Sequence, residues 1–136
     1  MIVKMSHVGI IVNSIEKAAE LWKETYGLEI LKYGKIDSEG VKNCFLMIGN
    51  INIELIEPIN KNDMNNPIAK RLMMEGEGVF HFALVVDDLE KTYEEYTKKG
   101  LSLVRRDPIE DEPKGRIVIH PKNANGVLLE LVEKGV

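Results

Sequence analysis

The sequence predicts an α+β fold of two tandem βαβββ modules that form a curved mixed sheet around a metal site. Three observations predict it. Residues 7–22 (HVGIIVNSIEKAAELW) and 81–96 (HFALVVDDLEKTYEEY) align without a gap. They share the leading His, Val12 with Val86, Glu16-Lys17 with Glu90-Lys91, and Glu20 with Glu94. Each half then closes on a strand-like run that carries a Glu, IELIEP at 53–58 and LELVEK at 129–134. The His-to-Glu separation is 47 residues in one half and 49 in the other. A repeat of that length marks a duplicated structural unit. We read one domain over 1–136, with module 1 at about 1–60, a linker at about 61–75 and module 2 at about 76–136.

Module 1 opens with a strand near 2–12. Asn13 or Ser14 then offers a side-chain oxygen to an orphan helix N–H. The helix runs to about Tyr26 and stops at Gly27. Its apolar residues Ile15, Ala18, Ala19 and Trp22 fall at three- and four-residue spacing, which makes one buried stripe. Strands follow near 28–35, 42–48 and 51–57. Module 2 repeats the order, with a strand at 79–86, a cap at Asp87 or Asp88, a helix at 89–99 and a stop at Gly100. Its strands lie near 102–106, 115–120 and 126–133. In the linker, NPIAKRLMME reads as a short helix, with Met73 and Met74 as packing residues.

Bulk composition excludes several classes. The 136 residues are 44% apolar and 29% charged, with a formal net charge of −4. That is a globular composition without a basic tract for nucleic acid. One cysteine, Cys44, forbids an internal disulfide and reads as a small core residue in a reducing compartment. The first residues lack a signal-peptide pattern, and no apolar run reaches the roughly 20 residues of a membrane helix. A cytoplasmic protein without membrane or nucleic-acid partners is expected.

Side chains alternate between the two faces of a strand. His7, Gly9 and Ile11 share one face, as do His81, Ala83 and Val85. Glu54 faces away from Ile53 and Leu55, and Glu130 away from Leu129 and Leu131. Helices cover one side of the sheet, and the other curves around a pocket. A lone His or Glu on a strand is ordinarily a satisfied or solvated residue. A matched pair in each half is a different matter. Two carboxylates half-buried together repel unless one takes a proton or a cation lies between them. We therefore read His7, Glu54, His81 and Glu130 as ligands of one divalent transition metal ion, Co, Mn, Ni, Zn or Fe. The third histidine, His120, has no counterpart in module 1 and reads as pocket wall.

These residues resemble the vicinal oxygen chelate superfamily, which includes glyoxalase I, extradiol dioxygenases and methylmalonyl-CoA epimerase. The resemblance covers nearly the whole chain and is closest to the methylmalonyl-CoA epimerases. It is carried by HVGIIVNSIEKAAELW, IELIEPINKND with NPIAKRL, GVFHFALVVDDLE and, above all, HPKNANGVLLELVE. It implies a glyoxalase-like fold, the same four metal ligands, and an acyl-CoA substrate. The implied reaction abstracts the proton between a thioester carbonyl and a carboxylate, with the metal stabilising the enolate. Glu130 is the expected acid/base and Glu54 the second, with Glu39 or a water as weaker candidates. Certain members carry a Glu three residues after the Gly of a Gly-Val segment. After Gly40-Val41 that position is Asn43. Lys122 is the expected contact for CoA phosphates, with Arg116 and Lys114 behind it. The alternative is glyoxalase I, lactoylglutathione lyase, acting on a glutathione thiohemiacetal. A metal-free binding protein of the same fold is a further rival, against which the four ligands argue. Members of the superfamily often dimerise, so a homodimer is expected.

Overall fold

The computed structural model describes residues 1–133, so the last three positions of module 2, Lys134 among them, lie outside the described residues. Two compact units emerge, one of Val8–Phe80 and one that joins Met1–His7 to the chain from His81 onward.

In the first unit, the later part of β1 (Ile2–Ile11) leads into α1 (Ile15–Glu24), then β2 (Glu29–Ile36), β3 (Val41–Ile48), β4 (Ile51–Pro58) and α2 (Pro67–Glu75). The ladder runs β2-β3-β4-β1. Ser14 caps α1, its Oγ accepting from the Lys17 amide at 3.3 Å. The Glu57 carboxylate closes the same helix end by accepting from the Ile15 amide at 2.8 Å. The acidic Glu16 in the first turn and Lys23 in the last complement the helix dipole. The stripe read from the sequence is the one that packs: Ile15, Ala18, Ala19 and Trp22 lie on Cys44 and Leu46 of β3 and Ile53 and Leu55 of β4. Cys44 is fully buried there, and burial raises its thiol pKa. Helix α1 ends two residues before the expected Tyr26, and Gly27 at φ 72° turns the chain out of it.

The short linker helix forms as α2. Asn66 caps it, with Oδ1 accepting from the amides of Ile68 and Ala69 at 2.9 and 3.1 Å, and Pro67 takes the first helical position. Its buried residues are Ala69 and Leu72. Met73 and Met74, expected to pack, are instead 57% and 72% exposed. Periodicity turns Met74 off the face that Ala69 and Leu72 define, while Met73, four residues after Ala69, stands at the end of that face without cover.

In the other unit, β1 is followed along the ladder by β5 (Gly78–Val86), β8 (Leu128–Val132), β7 (Arg116–Ile119) and β6 (Leu103–Arg106), with α3 at Leu89–Lys98. Strands β5 and β8 run parallel, while β7 is antiparallel to both of its neighbours. Asp88 caps α3 through the Lys91 amide at 3.0 Å. The core beneath α3 repeats the first: Val86, Leu89, Ile117, Ile119 and Leu131, with Tyr93 and Tyr96 packed against them. Arg105 lies over the Tyr93 ring at 3.8 Å and pairs with Glu90 at 2.6 Å. No helix of the described residues is long and apolar enough to cross a membrane.

Candidate metal centre

Strand pairing decides which side chains meet. In the parallel β5–β8 ladder, His81 stands opposite Leu128 and Ala83 opposite Glu130. Partners in a ladder share a face, so His81 and Glu130 are diagonal neighbours on one side. Leu131, Ile117 and Ile119 take the other side, under α3. The apolar face is thus held by the helix, and the polar one is left for chemistry.

His7 reaches the same place. Its Nε2 lies 3.1 Å from His81 Nε2, and the two rings meet edge to face at 86°. Glu130 Oε2 is 3.9 Å from His81 Nε2. One ligand atom from each of His7, His81 and Glu130 falls within 4.8 Å of the other two. Both imidazoles are 4% exposed, and Glu130 is half-buried.

The spacing fits a cation. Two nitrogens at right angles on an ion, each about 2.1 Å from it, stand about 3.0 Å apart, against about 3.4 Å for a tetrahedral angle. A hydrogen bond from one Nε2 to the other also satisfies 3.1 Å, and a bound ion would take the place of that single proton. His7 is braced from its other side, since Ser6 Oγ lies 3.1 Å from Nδ1. With the proton on Nδ1, the Nε2 lone pair is turned toward the cluster. Two imidazoles and a carboxylate are a donor set for a first-row divalent ion.

Glu54 belongs to the first unit. Its neighbours Ile53 and Leu55 point under α1, and its own side chain takes the opposite face. There it is 7% exposed, and Oε2 accepts from Asn43 Nδ2 at 2.9 Å. The sequence singles out position 43 only for the acid it lacks. Its donor role was foreseeable in part, because alternation places Asn43 and Phe45 on one face of β3. Ser6 carried no such signal, since alternation puts it opposite His7.

The basic residues fare differently from one another. Lys122 is exposed in a short 3₁₀ turn, Pro121–Asn123. His120 precedes it as a cap, Nδ1 accepting from the Lys122 amide at 3.0 Å. Lys114 is held by Glu133 at 2.6 Å, which raises its pKa. Arg116 is buried in β7, with one guanidinium nitrogen donating to the Asp107 carbonyl at 3.3 Å. Glu39 lies in the turn after β2, where its carbonyl accepts from Asn66 Nδ2 at 2.8 Å.

A family model described as the Glyoxalase/Bleomycin resistance protein/Dioxygenase superfamily matches residues 6–119. The human mitochondrial methylmalonyl-CoA epimerase is 32% identical over 130 residues, covering 94% of this chain and 72% of that protein. The ethylmalonyl-CoA/methylmalonyl-CoA epimerase of Cereibacter sphaeroides is 29% identical over 134 residues, 96% of this chain and 98% of its own. The crystal structure of methylmalonyl-CoA epimerase from Mycobacterium tuberculosis matches with a TM-score of 0.87 at 29% identity, over 99% of this chain and 90% of that one. The α+β, glyoxalase-like fold expected from the duplicated modules agrees with these relatives, as does the reading of an epimerase-like enzyme.

Proposed function

The chain belongs to the glyoxalase/bleomycin resistance protein/dioxygenase superfamily, and from that premise we propose that it is a divalent-metal-dependent methylmalonyl-CoA epimerase. The observation that carries the reading is the buried meeting of His7, His81 and Glu130. Such a cluster, in a fold shared with epimerases across nearly the whole chain, has a use in enolate chemistry.

His7, His81 and Glu130 would hold the ion, and the internal repeat is our ground for reading Glu54 as a further ligand. The ion, when bound, supplies Lewis acidity to the thioester oxygen. Everything else falls to the chain. Neutral imidazole is the ligating form, and each histidine would offer one ring lone pair. Glu130 takes the proton from one face of the carbon between thioester and carboxylate, and Glu54 is our candidate for the acid that delivers a proton to the opposite face, the two exchanging roles in the reverse direction. Lys122, exposed and without a carboxylate in its short turn, is the candidate contact for the phosphates of a CoA tail. A cytoplasmic homodimer completes the proposal.

The test is solvent deuterium incorporation. Cobalt-loaded protein with methylmalonyl-CoA in D₂O is expected to exchange the proton at the branched carbon and to interconvert both epimers. Absence of exchange, together with formation of lactoylglutathione from methylglyoxal and glutathione, overturns this reading in favour of glyoxalase I.

A further inference from the structure

We propose that Asn43 is a positioning residue for Glu54, and that position 34 is Gly because the Asn43 carboxamide needs the room. The inference rests on the reading of Glu54 as a site carboxylate and deepens it.

Three observations converge. Asn43 and Glu54 are both buried, at 4% and 7% exposure, and Asn43 Nδ2 donates to Glu54 Oε2 at 2.9 Å. A carboxylate only accepts, so the amide must turn its nitrogen toward Glu54 and its oxygen elsewhere. Register then shows why the pair is reachable. Strand β3 sets Phe45 opposite Glu54 and Asn43 opposite Ile56, so Asn43 is the diagonal neighbour of Glu54 on the face away from α1. On its other side, Asn43 stands opposite Gly34 of β2. A Cβ at Gly34 would come within 2.5 Å of Asn43 Oδ1. Gly34 is not among the positive-φ glycines, so its backbone makes no demand for glycine. Clearance explains it where conformation does not.

The arrangement has a chemical meaning. The amide does not ionise near neutral pH, so it never competes with Glu54 for a proton. By holding Oε2, it fixes the plane of the carboxylate and directs Oε1 to whatever Glu54 serves. Proton transfer at this end of β3 and β4 therefore belongs to Glu54 alone of the pair. A chain of three adjacent strands, β2, β3 and β4, supplies clearance, donor and acid in turn.

The experiment titrates metal-free protein with Co²⁺ by calorimetry, for wild type, Asn43→Leu, Gly34→Ala and the double variant. Asn43→Leu keeps the volume and removes the donor. Gly34→Ala alters neither partner's chemistry and displaces the carboxamide by steric contact. Each is expected to weaken Co²⁺ binding by about 10–100-fold, the usual effect of losing an outer hydrogen bond to a ligand. The double variant is expected to be no weaker than Asn43→Leu, because the new methyl acts only through the lost amide. Thermal unfolding of the metal-free proteins separates this from a merely structural role, which lowers the melting temperature and leaves the affinity of the folded protein unchanged. Wild-type affinity in both single variants overturns the inference and leaves the proposed function standing. Additive losses in the double variant overturn the clearance role of Gly34. A wild type that takes up no Co²⁺ overturns the inference and the metal reading together. Should Asn43→Leu fail to fold, Gly34→Ala carries the same test alone.

Discussion

Glu133 Oε2 accepts the backbone hydrogen of Leu89 at 2.8 Å, closing the first turn of α3 from the residue just past the end of β8. Glu57 does the same for Ile15 at the start of α1. The Lys114 ammonium, first, and the Leu89 amide hold the Glu133 carboxyl below its ordinary value of 4.5. A lowered folded-state pKa means that the unfolded chain binds more protons in the acid range. The stabilisation is present above the ordinary carboxyl pKa and is lost as pH falls through the lower folded value. Glu133→Gln is expected to flatten the acid limb of the melting temperature as pH falls below the ordinary carboxyl value of 4.5 and to leave the neutral-pH shape of that curve unchanged. An unaltered acid limb in a melting series of the two proteins sinks the assignment.

Removal of either imidazole should be more severe than loss of any supporting bond. His7→Ala and His81→Ala each delete one of two nitrogens that stand 3.1 Å apart. Each is expected to lower Co²⁺ affinity beyond the roughly 100-fold upper range of outer-shell losses. Calorimetry on metal-free protein reads the change. Dialysis of wild type against a chelator should abolish turnover, and Co²⁺ should restore it.

Glu130→Gln keeps the size of the side chain and removes its base. Turnover is expected to fall by about 10²–10⁴-fold, the range of general acid–base contributions. Deuterium incorporation into methylmalonyl-CoA is the measurement, with circular dichroism to show an intact fold. Near-normal exchange in that variant places the base elsewhere.

At Gly115 a side chain would meet both a left-handed backbone and a backbone clash. It sits at φ 82°, and a Cβ there would stand 2.9 Å from the Arg106 carbonyl oxygen, a backbone atom with little room to yield. Gly115→Ala should cost more than about 1 kcal/mol, from the left-handed conformation and the clash together. In urea, the midpoint should fall while the slope stays constant.

Much of this was legible in the sequence because two rules act locally. Alternation along β1, β5 and β8 placed His7, His81 and Glu130 on the side away from the helices. The three- and four-residue spacing of Ile15, Ala18, Ala19 and Trp22 named the face that α1 buries. What escaped depends on register, which no single strand encodes. The Asn43–Glu54 bond crosses a diagonal between strands. The slip between Ile30 and Lys32 in the β2–β3 pairing has no mark in composition. Charge misled at Arg116, which read first as solvated surface charge and second as a phosphate contact, and is buried in β7. Lys114 was similarly committed to Glu133 rather than to a ligand.

The parallel pairing of β5 with β8 fixes His81 and Glu130 two rungs apart, whatever the chain does between them. More than forty residues separate the two in sequence, and none of that connection sets their spacing. Insertions or deletions in the loop around Asp107–Gly115 can therefore accumulate without moving the chelating edge. Substrate preference is free to drift in the connecting segments while the bite of the ion-binding pair stays constant.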